Sequence, residues 1–243
     1  MIKTCGIIII GDEILSGKVL ETNAQYMSAE LRKYGIDLKR ILVISDSIDE
    51  IGTEVKDYSE RYDYVFTSGG IGPTHDDVTI LGISTAFGVN IVTSALIKDV
   101  IIQKMGDKVT KEALKMAEIP EGAVLITDKT LVFPLIQFKN IFIFPGLPDY
   151  CRMKFDVLKR TFDGPPFILK KVYVNQYESE FASILNEVVS RHKHIKIGSY
   201  PILNNEEYRV MLTLESTNID ELNASLKDLI VSLTNTRIVK ISE

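Results

Sequence analysis

Three glycines, a histidine and two adjacent aspartates are concentrated in one stretch of the sequence, TSGGIGPTHDDVT, from Thr67 to Thr79. Glycines let backbone N–H groups approach a ligand closely, which is how anion-binding loops are built. Adjacent carboxylates repel the same anion unless a cation lies between them. The stretch therefore predicts a phosphate-type ligand bound together with a divalent metal.

Two further motifs carry polar or turn-forming residues after apolar runs. GDEILSG, from Gly11 to Gly17, puts two acids directly after a buried-type strand, where they can hold a metal or orient a water molecule. PGLPD, from Pro145 to Asp149, follows another such strand. Turn formation is the plain alternative for the acids of GDEILSG, and helix capping is the alternative for the two aspartates of the glycine-rich stretch. The sequence leaves both alternatives open.

Composition excludes several classes of protein. The chain has 243 residues, 45% of them apolar and 25% charged, which is typical of a globular protein with a substantial core. The net charge of −5 and the absence of a basic cluster argue against nucleic acid or an anionic membrane as the main partner. Two distant cysteines, and no apolar run that resembles a signal peptide or a membrane span, indicate a cytoplasmic protein.

Alternating strand and helix patterns fill the first part of the chain. β-Branched apolar runs predict strands, and apolar residues at helical spacing predict the helices between them. A series of this kind predicts an α/β fold with a doubly wound, mainly parallel sheet, in which the loops at the carboxyl ends of the strands lie at one edge. The predicted strands are at 5–10, 38–44, 64–67, 124–127, 131–138 and 141–144. The predicted helices are at 22–34, 47–61, from Asp76 or Asp77 to 87, 94–105 and 110–117, with a last helix after Asp149 that reaches about Phe162.

A turn rich in proline and glycine, Asp163–Pro166, separates a second pattern from the first. We predict domains at 1–163 and 164–243. The second contains strands and helices in the order β-α-β-β-α-β, which is the order of a small ferredoxin-like domain. It shows no comparable chemistry, so we expect it to be structural, to dimerise, or to form a wall of the first domain's cleft.

Together the three motifs, in this order, resemble the molybdopterin-binding-type domain shared by MogA/MoaB proteins, the CinA family and eukaryotic FAD synthases. The sequence is most similar to the CinA branch and to the N-terminal half of eukaryotic FAD synthases. KIGSYP, from Lys196 to Pro201, and YRVMLTLES, from Tyr208 to Ser216, are similar to the second domain of that branch. The resemblance covers essentially the whole chain.

The resemblance also implies roles for single residues. An acidic, metal-coordinating and catalytic set would bind Mg²⁺, Mn²⁺ or Co²⁺, while a second set would bind substrate phosphate or line its pocket. The acidic set is Asp12, Glu13, Asp76 and Asp77. The substrate-binding set is Gly11, Gly17, Asn23, Ser68, Gly69, Gly70, Gly72, Thr74, His75, Pro145, Gly146 and Pro148.

We expect a metal-dependent nucleotide pyrophosphatase, a hydrolase that splits FAD or a related dinucleotide of the ADP-ribose type into monophosphates. One alternative is molybdopterin binding with adenylyl transfer. Another is a non-catalytic module that binds a pterin or flavin nucleotide. The chain lacks the FAD-synthesising domain of the eukaryotic fusions, so we do not expect it to make FAD by itself. The expected partner is a small-molecule nucleotide or pterin, with no nucleic acid and no membrane; self-association into a homo-oligomer is left open.

Overall fold

The structure, a computed structural model, describes residues 2–233 and 237–242. Two compact units make up the chain: the first ends at Gly164 and the second begins at Pro165. Each unit has its own sheet and its own buried apolar side chains. None of the described helices is long and apolar enough to cross a membrane.

Strands and helices alternate through the first unit. Single 3₁₀ turns follow two of its helices, at Gly106–Lys108 and Lys159–Thr161. In chain order the elements are β1 (Lys3–Ile10), α1 (Asp12–Leu15), α2 (Asn23–Lys33), β2 (Ile36–Ile44), α3 (Ile48–Arg61), β3 (Tyr64–Ser68), α4 (Thr79–Phe87), β4 (Ile91–Thr93), α5 (Ala95–Met105), α6 (Lys111–Lys115), β5 (Glu118–Pro120), β6 (Val124–Ile126), β7 (Leu135–Phe138), β8 (Ile141–Phe144) and α7 (Pro148–Leu158).

Six of these strands form the central sheet, in the order β2-β1-β3-β8-β7-β6. The first four are mutually parallel; β7 runs antiparallel to β8, and β6 runs antiparallel to β7. Alternate residues of β1 belong to different apolar clusters, Ile8 and Ile10 to one and Ile7 and Ile9 to the other. Because successive side chains of a strand point to opposite faces, the sheet is buried on both sides. The predicted doubly wound, mainly parallel sheet is confirmed.

Differences from the predicted elements lie mainly after β3. The helix expected from Asp76 or Asp77 begins only at Thr79, because the Asp77 carboxylate is turned back into the preceding loop. The strand predicted over 131–138 begins at Leu135, after Pro134, whose missing N–H cannot join a strand ladder. The short pair β4 and β5 was not predicted, since three residues are too few to show a pattern.

An antiparallel four-stranded sheet forms the second unit, with strand order β10-β11-β9-β12 and two helices. Its core includes Val172, Leu212 and Leu214 from the sheet, together with Phe181 and Leu229 from the helices. This is the predicted ferredoxin-like arrangement. The elements are β9 (Ile168–Val174), α8 (Glu178–Arg191), β10 (Lys196–Pro201), β11 (Val210–Ser216), α9 (Ile219–Ser232) and β12 (Ile238–Ser242).

Candidate functional site

Each of the three motifs follows a strand of the parallel part of the sheet. GDEILSG follows β1, the glycine-rich stretch follows β3, and PGLPD follows β8. These strands are adjacent in the order β1-β3-β8 and run in the same direction, so their carboxyl ends lie at one edge. The N–H of Gly69 donates to the carbonyl oxygen of Phe144 at 3.1 Å and so joins two of the loops directly.

Backbone geometry explains the glycines of the loop between β3 and α4, which we call the glycine loop (Gly69–Pro73). Gly69 has φ +114°, and a Cβ atom on it would lie 2.0 Å from the carbonyl oxygen of Ile10. Only glycine fits at this position. The next two N–H groups, of Gly70 and Ile71, donate to no group in residues 2–233 or 237–242. Successive free N–H groups in such a loop are suited to binding an anion.

Asp77 holds the glycine loop in shape. Its carboxylate accepts hydrogen bonds from the N–H of Gly72 at 2.6 Å, the N–H of Thr74 at 2.8 Å and the Thr74 hydroxyl at 2.5 Å. From α6, the Lys115 ammonium donates to the carbonyl oxygens of Thr74 and Asp77 at 2.8 and 2.9 Å. Both Asp77 oxygens are therefore occupied within the loop.

A further acid, Asp46, joins the predicted ones at this edge. Its carboxylate accepts a hydrogen bond from the backbone N–H of Asp12 at 2.9 Å. Partial burial, followed by the negative charges of Asp12, Glu13 and Asp76, raises the pKa of Asp46. Asp46 was missed, although it follows β2, which neighbours β1, and the rule for strand ends applied to it equally.

The acids do not form a ready-made metal centre. Across the described part of the chain, no three or more His, Cys, Asp or Glu side chains are arranged to hold a metal ion. Of the four predicted ligands, Asp77 is committed to the loop, while Asp12, Glu13 and Asp76 are exposed. Mg²⁺ commonly binds through one or two carboxylates plus the phosphates of a substrate. The exposed carboxylates of Asp12, Glu13 and Asp76 leave room for a metal that arrives with a phosphate ligand.

Asn23 lies beneath the loops and joins them. Its side-chain amide donates to the Ser68 hydroxyl at 3.0 Å and to the carbonyl oxygen of Gly146 at 2.8 Å. The Ser68 hydroxyl in turn donates to the carbonyl oxygen of Pro145 at 3.1 Å. The Oδ1 atom of Asn23 is buried and has no partner among the described residues. Asn23 and Ser68 therefore position the Pro145–Gly146 turn from below.

A cavity of about 510 Å³ opens beside the glycine loop. Its other walls are the segment 131–134, the turn 145–148 and the first turns of α7, and most of its lining is apolar. At its mouth Val132, Leu147, Tyr150 and Met153 keep 39–63% of their surface exposed. Exposed apolar side chains around a concave site indicate a ligand with a substantial apolar surface.

Half of the predicted site residues line this cavity. They are Glu13, Gly69, Gly70, Gly72, Asp77, Pro145, Gly146 and Pro148. The other predicted residues lie nearby, outside the lining: Gly11, Asp12, Gly17, Asn23, Ser68, Thr74, His75 and Asp76. The His75 side chain is 97% exposed, and its Nδ1 atom lies 3.9 Å from a carboxylate oxygen of Asp76.

Sequence reasoning also missed two parts of the wall. The segment 131–134 was assigned to a strand, and it instead forms part of the cavity wall. Lys154 was not singled out, although it lies on the apolar face of α7 with Cys151, Phe155 and Leu158. A charged residue within an apolar helical stripe is a signal that the sequence itself contains.

Comparisons with known proteins agree with this architecture. A family described as "Probable molybdopterin binding domain" matches residues 6–164, and one described as "FAD synthase, middle domain" matches residues 166–242. A "Probable FAD synthase" of Caenorhabditis briggsae is 32% identical, over 94% of this chain and 50% of its own length. The chain thus spans about half the length of this relative.

Two archaeal proteins are similar over more of their own length. A protein of Archaeoglobus fulgidus is 34% identical, over 80% of this chain and 84% of its own. The crystal structure of CinA, a protein of unknown function from Thermoplasma acidophilum, is 30% identical with a TM-score of 0.61, over 66% of this chain and 98% of its own. The predicted resemblance to the CinA and FAD-synthase branch is confirmed.

The named relatives correct one prediction. The relatives in Caenorhabditis briggsae and Caenorhabditis elegans are named probable FAD synthases, which describes transferases that build FAD. The prediction of a hydrolase with pyrophosphatase activity is therefore wrong. The comparisons support a coarser statement, a nucleotide-related enzymatic or binding role.

Proposed function

This chain belongs to the molybdopterin-binding domain family, followed by an FAD synthase middle domain, and from that premise we propose that it binds a nucleotide whose planar ring is a flavin or a pterin. The ring occupies the 510 Å³ cavity, and the phosphate lies on the glycine loop. The nematode relatives are named for FAD and the first family for molybdopterin, so both ring systems come within the proposal.

The observation that carries the proposal is the composition of this one cavity. Gly70 and Ile71, whose backbone N–H groups have no acceptor among the described residues, line it together with mostly apolar residues and the ring of Tyr150. Ligand sites typically enclose about 300–1,000 Å³ and combine apolar walls with a few polar groups that fix orientation. A planar ring attached to a phosphate fits this division, because the ring needs apolar surface and the phosphate needs donors.

The carboxylates near the glycine loop would repel a bound phosphate, so the proposal includes a cation. Asp12, Glu13, Asp46 and Asp76 face a region that would receive a phosphate, and like charges repel. We therefore include a divalent metal, Mg²⁺, Mn²⁺ or Co²⁺, that enters with the phosphate and is held by the exposed carboxylates of Asp12, Glu13 or Asp76. The metal would neutralise phosphate charge; binding of the ring requires only the chain itself.

Isothermal titration with FMN, FAD, AMP and neopterin, each with and without Mg²⁺, tests the proposal. Tyr150 is 50% exposed at the cavity mouth, where its ring can stack on the ligand. Stacking on an aromatic side chain is worth about 1–3 kcal/mol per base, so we expect Tyr150→Ala to weaken FMN binding roughly 5- to 150-fold. Tyr200, 51% exposed in the second unit, provides a matched control.

Each result has a distinct meaning. FMN or FAD binding that is lost in Tyr150→Ala and retained in Tyr200→Ala supports a flavin site in this cavity. Neopterin binding with the same pattern, and no flavin binding, selects the pterin alternative. If the wild type binds none of these compounds with or without Mg²⁺, or if both tyrosine variants behave alike, the proposal is overturned.

A further inference from the structure

A buried lysine lies in the wall of the cavity. Lys154, on α7, keeps only 7% of its surface exposed. Its ammonium donates to the carbonyl oxygen of Pro134 at 2.5 Å. Both residues line the 510 Å³ cavity, so this hydrogen bond is part of the wall itself.

Lys154 is incompletely satisfied. An ammonium has three N–H donors, and Pro134 accepts from only one of them. In the part of the chain that the structure describes, no carboxylate lies within ion-pair distance of Lys154. Burial lowers the pKa of Lys154 to about 8, and the nearby Cys151 thiol opposes this only in part. Burial of such a group without a counter-charge is unfavourable, which favours a role for its free donors in ligand binding.

The surroundings of Lys154 suit a ring better than a phosphate. The residues that line the cavity with it include Phe133, Leu147 and Met153, which offer apolar surface and no further donors from their side chains. The free backbone N–H groups suited to a phosphate belong to the glycine loop, a different wall built by the β3–α4 connection. A ligand with its phosphate on that loop would present its ring to the wall that carries Lys154.

Flavins and pterins share an edge that adenine lacks. In both, the C4 carbonyl oxygen of the pyrimidine part lies beside the unprotonated nitrogen N5 of the adjoining ring, and these two atoms accept hydrogen bonds, whereas the ring N3–H donates. Adenine has ring nitrogens and an amino group but no carbonyl oxygen. We propose that Lys154 is a specificity residue whose free N–H donors bind this carbonyl-bearing edge, so that the cavity selects flavin or pterin over adenine. This inference rests on the proposed function, since it assumes a ring in the cavity.

Ligands that separate ring from phosphate provide the test. Isothermal titration compares FMN, riboflavin, neopterin and AMP on the wild type, Lys154→Met and Lys154→Gln. Lys104, an exposed lysine at the end of α5, gives the control Lys104→Met with the same change of charge. Thermal unfolding of each variant verifies that it is folded. Hydrogen bonds to charged groups are strong. We therefore expect Lys154→Met to lower the affinity for FMN and riboflavin about 10- to 100-fold if the site binds flavins, or the affinity for neopterin by the same factor if it binds pterins.

AMP distinguishes the outcomes, because we expect its affinity to change less than about twofold in both Lys154 variants. An equal loss of affinity for AMP and for FMN in the Lys154 variants would overturn the inference and show that Lys154 binds the phosphate. Unchanged FMN, riboflavin and neopterin binding in a folded Lys154→Met variant would overturn it in favour of a purely structural lysine. If the wild type binds none of the ring compounds, the proposed function fails and this inference fails with it, whereas the first two outcomes leave the proposed function standing.

Discussion

At the scale of single residues, Lys154 is expected to lower the stability of the fold. The pKa of lysine is 10.5 in an exposed setting, and burial lowers it to about 8 here. Between these two values the unfolded chain binds more protons than the folded one, so stability rises with pH across that window. Below pH 8 both states are protonated, and the full penalty of burying the charge is present.

We therefore predict that Lys154→Met raises the free energy of unfolding at pH 7, by about 1–3 kcal/mol, because methionine fills the same space without a charge. The wild type gains stability between pH 8 and 10.5, and the variant should lack this gain. Urea unfolding at pH 7 and pH 10 measures both effects, with Lys104→Met as the control. A variant that is less stable than the wild type at pH 7 would show that the bond to Pro134 outweighs the burial penalty.

Residues at the site differ in how far the sequence could indicate them. Gly69 and Gly70 were predictable, because glycines after a buried strand have few other uses. Asp46 could be assigned to the site only by knowing which strand ends share one edge of the sheet, which depends on strand order. Lys154 could be assigned to it only by knowing which face of α7 lines the cavity, which depends on the rotation of that helix. Asp77 was predicted as a metal ligand from its type, and the hydrogen bonds that its carboxylate accepts from Gly72 and Thr74 could not be read from the sequence.

At the scale of elements, side-chain hydrogen bonds connect the glycine loop with the start of α4. Asp77 accepts three hydrogen bonds from Gly72 and Thr74, and the Thr79 hydroxyl donates to the carbonyl oxygen of Gly69 at 2.9 Å. A Cβ atom on Gly72 would lie 2.6 Å from the Asp77 carboxylate, so the loop closes tightly around this side chain. The free N–H groups of Gly70 and Ile71 keep their direction only while this closure holds.

These hydrogen bonds predict different effects of substitution at the two adjacent aspartates. Asp77→Ala removes the acceptor for two backbone N–H groups, and we expect AMP affinity to fall at least about tenfold, with faster hydrogen exchange at Gly72 and Thr74. Asp76→Ala should leave hydrogen exchange at these positions unchanged, because the backbone N–H groups of Gly72 and Thr74 donate to Asp77. Titration with AMP in the absence of metal, with exchange measured by mass spectrometry, separates the two.

Equal loss of AMP affinity in both aspartate variants without metal would contradict this account, since it would assign the effect to charge and not to loop shape. Addition of Mg²⁺ then provides a second comparison. A Mg²⁺-dependent gain in AMP affinity that Asp76→Ala abolishes would support the proposed metal that enters with the phosphate. The same gain in wild type and Asp76→Ala would exclude Asp76 from its ligands.

Element boundaries were predictable where a local interaction fixes them. Ser47 caps α3 by accepting a hydrogen bond from the N–H of Glu50, as the spacing of the two residues suggests. The Glu50 carboxylate, however, binds the N–H and hydroxyl of Ser45. The start of α4 was misplaced because the competing partners of Asp77 are loop N–H groups whose approach depends on the whole turn.

At the scale of the whole molecule, the two units have separate cores. The apolar clusters of the first unit contain only residues before Pro165, and that of the second contains only residues after it. Every residue that lines the 510 Å³ cavity lies between Glu13 and Lys154. Both the fold of the first unit and its cavity therefore depend on contacts within that unit.

We accordingly predict that a protein consisting of residues 1–164 folds alone and binds FMN or neopterin within about threefold of the affinity of the full chain. A domain of this length buries enough surface to be stable without further support. Isothermal titration and a cooperative thermal transition check the two parts of the prediction, and Tyr150→Ala in the shortened protein shows whether the same cavity is in use. A folded protein of residues 1–164 with the cavity intact but without ring affinity would show that residues after Gly164 supply part of the binding energy, and the ferredoxin-like unit would then have a direct role in ligand recognition.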